Sequence, residues 1–282
     1  MFAANRSLIP IRHYVPRICL QNFSQQDSYS RDEMTHFGFQ TISEVDKKNA
    51  VIDIFSSVST KYDLMNDLMS AGTHRIWKNT FVNDLNPMPD YKILDVAGGT
   101  GDIAFRILEK IKEPSPDGHL IVCDINKSML DVGQSRASDG GYNKTQIKFI
   151  EGDAQSLQFE DNSFDAYTIA FGIRNVVRIH EALEEAYRVL KPGGRFMCLE
   201  FAPMEQPILG DIYNSYLFNV IPPLGEVITG DWDSYQYLIE SIQNFPPQEE
   251  FMQMIKNAGF RFVTYKNLSL GIVAIHSGFK II

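Results

Sequence analysis

An α/β fold with a mostly parallel sheet is predicted for this chain by three observations. Residues 92–102 read as a short apolar strand running into a glycine turn and then a helix. Strand and helix patterns alternate from there to Phe201. Near the C-terminus, residues 260–268 and 271–280 are β-rich and divided by a short polar turn, as in a hairpin that adds an antiparallel strand.

The first of these segments is the most specific. Ile93, Leu94 and Val96 supply the strand, and Gly98, Gly99 and Gly101 tolerate backbone angles and close approaches that a Cβ would block. Strand, turn and helix N-terminus make a nucleotide cradle. Gly99-Thr-Gly101-Asp-Ile-Ala104 also fits the G-x-G-x-x-A dinucleotide pattern, with Asp124 near the spacing of a ribose-binding acid. Asp95 and Asp102 flank the turn. They would repel a pyrophosphate and attract the ammonium and sulfonium of S-adenosylmethionine, so the charges favour the methyl donor over NAD.

Further strands are expected at 119–123, 147–150, 164–171 and 195–201, and helices at 103–112, 128–138 and 179–190. Open sheets of this kind bind ligands beyond the carboxyl ends of their strands. Asp124, Gly152-Asp153-Ala154 and Gly172-Ile-Arg-Asn175 fall there. Before the sheet, residues 44–85 read as helices. In Tyr62-Asp-Leu-Met-Asn-Asp-Leu-Met-Ser70 a Met/Leu face lies beside a polar face with Tyr62 and Asn66 four apart, the composition of a lid over an apolar substrate. Residues 205–248 are expected to insert after the fifth strand. Their aromatic, proline-interrupted first part suits a pocket wall or dimer surface, and residues 233–242 return to helix before a last helix at 249–258.

Length and composition suit a globular chain of 282 residues with 44% apolar content. No apolar run approaches the roughly 18 residues of a membrane-spanning helix. The first 26 residues hold Arg6, Arg12, Arg17 and His13 and no acid, which reads as a mitochondrial transit peptide. Residues 1–35 are therefore expected to be leader and 36–282 one domain. Without the three leader arginines the net charge of −9 becomes −12, a poor match to nucleic acid. Cys19, Cys123 and Cys198 and the six scattered histidines show no metal-ligand spacing, so no metal site is expected.

Several segments are more particular than composition. Tyr62-Asp-Leu-Met-Asn66, Leu94-Asp-Val-Ala-Gly-Gly-Thr-Gly-Asp102, Phe171-Gly-Ile-Arg-Asn-Val176, Arg188-Val-Leu-Lys-Pro-Gly-Gly-Arg195, Leu199-Glu-Phe201 and Ser234-Tyr-Gln-Tyr-Leu-Ile-Glu-Ser-Ile242 together resemble the ubiquinone/menaquinone-biosynthesis C-methyltransferase family, from about Tyr62 to Lys280. The resemblance implies a Rossmann-like class I S-adenosylmethionine-dependent methyltransferase fold. Its sheet would be seven-stranded with an antiparallel C-terminal strand, under a helical N-terminal lid. It implies transfer of a methyl group to a ring carbon of 2-methoxy-6-polyprenyl-1,4-benzoquinol.

By the same resemblance, Asp95, Gly98, Gly99, Thr100, Gly101, Asp124, Asp153, Ala154 and Ala170 form the cofactor site. Thr100 would meet the methionine part, Asp124 the ribose hydroxyls, and Asp153 with Ala154 the adenine. Tyr62, Asn66, Arg174 and Asn175 would bind the quinol, with Tyr62, Arg174 and Asn175 the catalytic candidates. The implied setting is the matrix side of the mitochondrial inner membrane, as a peripheral homodimer within a multi-subunit coenzyme Q assembly. Two departures stand out: Ala170 where relatives carry Ser, and Val177-Arg178 in place of Thr-Asp. The residues by themselves leave open a nicotinamide-dependent oxidoreductase and a non-catalytic scaffold.

Overall fold

The structure, a computed structural model, describes residues 34–58, 66–67, 70, 72–112, 115, 118–204, 207–230 and 232–281. Tyr62 and all but two residues of the expected leader lie outside that set.

The described residues begin with an antiparallel hairpin that the sequence does not predict, β1 (Met34–Phe37) and β2 (Gln40–Ser43), followed by α1 (Glu44–Val58) and α2 (Thr73–Leu85). The expected alternation then appears as β3 (Lys92–Val96), α3 (Asp102–Ile111), β4 (His119–Asp124), α4 (Lys127–Asp139), β5 (Ile147–Glu151), β6 (Phe164–Ala170), a short turn of helix at Ile173–Asn175, α5 (Ile179–Val189) and β7 (Leu190–Phe201). After β7 come α6 (Pro207–Thr229), α7 (Trp232–Gln243), α8 (Gln248–Asn257), β8 (Arg261–Leu268) and β9 (Val273–Phe279).

One sheet of seven strands runs in the order β5-β4-β3-β6-β7-β9-β8. The first five are parallel, and β9 slots antiparallel between β7 and β8. Because side chains alternate across a strand, β3 feeds two cores. Leu94 and Val96 join Tyr167, Phe196, Phe251 and Phe260 under α5 and α8. On the other face, Ile93 joins Trp77, Phe81, Ile107 and Leu130 under α2, α3 and α4. Cys123 and Cys198 are free thiols inside the first of these cores, and burial pushes both up, Cys123 to about 12.

The proline-interrupted part of the insertion differs from expectation: residues 207–229 form one helix that continues through Pro222 and Pro223. Its apolar face explains this. Leu217 and Ile221 bury against Tyr235 and Ile239 of α7, and Gly225 lies so close to the Tyr235 ring that a Cβ there would sit 2.3 Å from it. Packing of this kind outweighs the backbone bonds that two prolines remove.

Candidate active site

Strand order reverses at β3, which pairs with β4 on one side and β6 on the other. The crevice beyond the ends of β3 and β6 is the ligand position such sheets favour. Two non-glycine residues take left-handed angles there, Ala97 (φ 49°) and Phe171 (φ 56°). Gly172 is required beside them, since a Cβ on it would lie 2.4 Å from that of Ala97.

The donor side of the crevice is the glycine turn. A Cβ on Gly98 would fall 2.7 Å from Val122 and 2.8 Å from Asp95 Oδ2, so the backbone approaches the strand as closely as glycine permits. Asp95 is wholly buried; its Oδ1 accepts from Thr168 Oγ1 at 2.7 Å, and Oδ2 has no hydrogen-bond partner among the described residues. Burial pushes its carboxyl up to about 7, against the Thr168 bond and with help from Asp124 and Asp102. Asp124 accepts from Gly99 N and Asn126 N, both at 2.8 Å, and burial lifts it to about 6 despite those bonds. Asp153, Ala154 and Ala170 line the same cleft. An orphaned carboxylate oxygen, a second acid at a strand end and a turn with no room for side chains together fit a ligand carrying an ammonium and vicinal hydroxyls.

Two of the residues expected here are bonded to neighbours within the fold. Asp102 is engaged elsewhere, at 2.7 Å from Lys78 Nζ and 2.8 Å from Arg106 Nε, so these cations offset its attraction for a sulfonium. The Thr100 hydroxyl accepts from Arg136 at 3.1 Å and is 2% exposed, although Thr100 does border the cleft. Asp95 and Asp124 therefore carry the electrostatic argument.

Helix α1 straps this cleft. Lys48 Nζ reaches Asp153 Oδ2 at 2.9 Å, and Asn126 Nδ2 donates to Ile52 O and Ser56 Oγ, both at 3.0 Å. Arg178, one of the departures from the family pattern, forks onto Glu44 at the start of α1.

A second cleft, of about 1380 Å³ and open to solvent, adjoins the first. Its described lining is largely apolar and aromatic, including Phe55, Trp77, Phe171, Phe201, Tyr213, Leu217 and Ile221. Asn66 and Arg174 border this second cleft, as the sequence reading expects of substrate residues, whereas Asn175 borders the first. The two clefts share Phe55, Lys78 and Phe171 in their walls.

Arg174 is more confined than expected. Its Nη1 lies 2.6 Å from Glu200 Oε1 and donates to Phe171 O at 2.7 Å, Nε donates to Ser241 Oγ at 3.3 Å, and the guanidinium sits 5.5 Å from the Phe201 ring centre. Glu200 is 1% exposed, and burial raises its carboxyl while Arg174 lowers it. Asn175 Oδ1 accepts from Tyr237 Oη at 3.0 Å, which links the two clefts.

Lys78, Glu200, Asn126 and Tyr237 escaped sequence reasoning as site residues. The i, i+4 spacing of His74 and Lys78 on α2 was a signal for one of them. Glu200 stood inside the Leu199-Glu-Phe201 motif without a role, because its partner lies 26 residues away.

Comparison with known proteins follows the same lines. The model of the "ubiE/COQ5 methyltransferase family" matches residues 43–280. A Bos taurus protein named "2-methoxy-6-polyprenyl-1,4-benzoquinol methylase, mitochondrial" is 53% identical over 277 residues, covering 88% of this chain and 84% of that protein. A Dictyostelium discoideum protein of the same name is 49% identical over 286 residues, covering 93% and 91%. Among solved structures, a SAM-dependent methyltransferase from Thermotoga maritima, described as a possible histamine N-methyltransferase, aligns with a TM-score of 0.55 at 20% identity, covering 81% of this chain and 98% of that one. A Haemonchus contortus phosphoethanolamine N-methyltransferase 2 in complex with S-adenosyl-L-methionine aligns at 0.54 and 15%, covering 73% and 52%. Identities this low speak to the fold alone.

Proposed function

This chain belongs to the ubiE/COQ5 methyltransferase family, and from that premise we propose that it methylates a ring carbon of 2-methoxy-6-polyprenyl-1,4-benzoquinol with S-adenosylmethionine in ubiquinone biosynthesis, giving the 5-methyl product. The observation that carries the acceptor assignment is the meeting of an acid-bearing cleft with a larger apolar and aromatic one at Phe55, Lys78 and Phe171. A polar methyl donor and a lipid ring need such neighbours, since transfer requires the reacting atoms roughly 3–3.5 Å apart and aligned.

When bound, the cofactor supplies a methyl group activated on a sulfonium. In this reading Asp95 Oδ2 accepts from its ammonium, the backbone of Gly98, Gly99, Thr100 and Gly101 cradles the methionine part, Asp124 accepts from the ribose hydroxyls, and Asp153 with Ala154 and Ala170 meets the adenine side. The carboxylates suit these partners because an ionised carboxylate is purely an acceptor with several lone-pair sites.

On the acceptor side, Arg174 offers guanidinium N–H donors to the quinol oxygens, its charge offset in part by Glu200. Its partners Glu200, Phe171 O and Ser241 hold the guanidinium in place before substrate arrives, so a developing phenolate meets a preorganised donor. Arg174 has donors and no acceptor site, so its part is to orient the ring. Asn175 and Asn66 are assigned to binding the ring, and Tyr62, outside the described residues, keeps its place in this proposal as a catalytic and substrate candidate. Residues 44–85 act as the lid and 205–248 as substrate wall and dimer surface of a single domain.

The proposed setting is the matrix face of the mitochondrial inner membrane, as a peripheral homodimer in a coenzyme Q assembly. Two relatives bear mitochondrial names. Among the described residues no helix is long and apolar enough to cross a membrane, and Val220, Val227 and Trp232 are exposed on α6 and α7. Incubating the protein with S-adenosylmethionine and a short-tailed demethylated quinol should yield the ring-methylated product by mass spectrometry. Absence of that product with a cofactor-binding protein would overturn the acceptor assignment.

A further inference from the structure

Among the polar residues that line the acceptor cleft is a histidine with no role so far. His74, in the first turn of α2, is 5% exposed and lines the cleft. Its Nε2 lies 2.8 Å from Asp67 Oδ1. Arg75 donates to both oxygens of Asp67, at 2.8 and 2.7 Å, and these bonds, with that of His74, hold the carboxyl well below the usual carboxylate range. An ionised carboxylate can accept but not donate, so the His74 proton sits on Nε2 and the lone pair on Nδ1.

That Nδ1 is buried and has no hydrogen-bond partner among the described residues. Orphaned buried polar atoms are rare enough in folded proteins to call for a cause, and catalysis is one of the recognised causes. Three polar side chains beside it already have partners. Ser70 Oγ donates to Asn66 O, Thr73 Oγ1 donates to Ser70 O, and Lys78 Nζ donates to Asp102.

We propose that His74, oriented by Asp67, is the base that takes the hydroxyl proton of the quinol as its ring carbon is methylated. This inference rests on the quinol assignment above. Arg174, lining the same cleft, cannot fill the role because it has no acceptor site. The imidazole is suited to it: burial lowers its affinity for protons, the bond to Asp67 opposes that, and the charges of Lys78 and Asp102 act in opposite senses, the net effect being downward. The ring is therefore neutral and able to accept near pH 7.

The chemistry balances. The O–H bond breaks towards Nδ1 while the ring carbon forms its bond to the methyl and the S–CH3 bond breaks, its electron pair staying on sulfur. The methylated ring then loses its C–H proton to water, and the oxygen recovers its proton from His74. One proton is released per turnover, and the imidazole returns neutral.

The test uses the full chain with S-adenosylmethionine and a short-tailed quinol. His74→Gln and His74→Ala are expected to lower kcat about 100-fold or more, the usual scale for a lost general base. Affinity for S-adenosylhomocysteine by calorimetry should stay at the wild-type value, and both variants should still melt cooperatively. The acidic limb of the kcat profile should vanish, and imidazole should restore part of the His74→Ala activity. Asp67→Asn should move that limb rather than abolish it. A nitrophenolic quinol analogue, coloured only as its anion, should bind the wild type as the anion and His74→Gln as the neutral phenol. A kcat within threefold of wild type overturns the proposal, as does a loss that keeps the acidic limb and resists imidazole. Failure of the acceptor assignment looks different, since the wild type itself would then leave the quinol unmethylated.

Discussion

A guanidinium buried beside a carboxylate is costly to break up by removing one partner. Arg174 and Glu200, 2.6 Å apart with side chains 4% and 1% exposed, are such a pair. Arg174→Ala leaves the Glu200 carboxylate buried without its cation, and unfolding free energy is expected to fall by about 3–5 kcal/mol. Denaturant titration would show this, and an unchanged midpoint would refute it. Substitution of Arg174 thus tests stability and catalysis together. His74 offers the cleaner experiment, since its partner Asp67 keeps both bonds from Arg75 when the imidazole is removed. Arg174 was legible as a loop cation from its place after a strand. Its confinement was not, because Phe171, Glu200 and Ser241 meet it through three different elements.

Among elements, α1 shows how a helix of modest amphipathicity acquires a position. It is held to the donor cleft by polar contacts: Lys48 to Asp153, Asn126 to Ile52 and Ser56, and Glu44 to Arg178. Asn126 also caps α4, its Oδ1 accepting from Met129 N at 3.1 Å. Asn126→Ala is expected to cost about 1 kcal/mol for the cap, to speed amide exchange across α1, and to weaken S-adenosylhomocysteine binding several-fold. Hydrogen exchange and calorimetry would check these together, and unaltered exchange in α1 would remove the strap from the account. Four of the five parallel strands were readable to within a residue because short apolar runs bounded by turns have few alternatives, whereas β7 begins at Leu190, five residues before its expected start. Helix α6 was not, since Pro222 and Pro223 are local signals for a break and its continuation depends on Tyr235 and Ile239 from the next helix.

For the molecule as a whole, the two acids at the sheet's switch point couple folding to cofactor binding. Asp95 and Asp124 have carboxyls raised to about 7 and about 6. A carboxyl raised on folding stabilises the fold fully below its unfolded value near 4, and that contribution is lost as pH rises to 7. Asp67, Asp102 and Asp153, all lowered, contribute in the opposite sense, losing stability below about 4. The ligand-free protein should therefore lose stability between pH 5 and 7.5 through Asp95 and Asp124. A cofactor ammonium beside Asp95 favours its ionised form, so binding near pH 6.5 should release protons. Calorimetry in buffers of different ionisation enthalpy would measure that release, and thermal melts should show a larger stabilisation by S-adenosylhomocysteine at pH 7.5 than at pH 5. Asp95→Asn should remove most of both effects; proton release that persists in it would assign the linkage elsewhere.

The sequence by itself determined the α/β class, the glycine cradle, the acids at strand ends and the family, because strand periodicity, turn chemistry and contiguous motifs are local properties of the chain. The tertiary structure decided which charges are available. It tied Asp102 to Lys78 and Arg174 to Glu200, left Asp95 Oδ2 and His74 Nδ1 without hydrogen-bond partners among the described residues, and set the two clefts against each other at Phe55, Lys78 and Phe171. Whether a polar group is paired or open depends on neighbours 7 to 73 residues away, such as Asp67 for His74 and Thr168 for Asp95, and such neighbours are fixed by packing rather than by spacing along the chain.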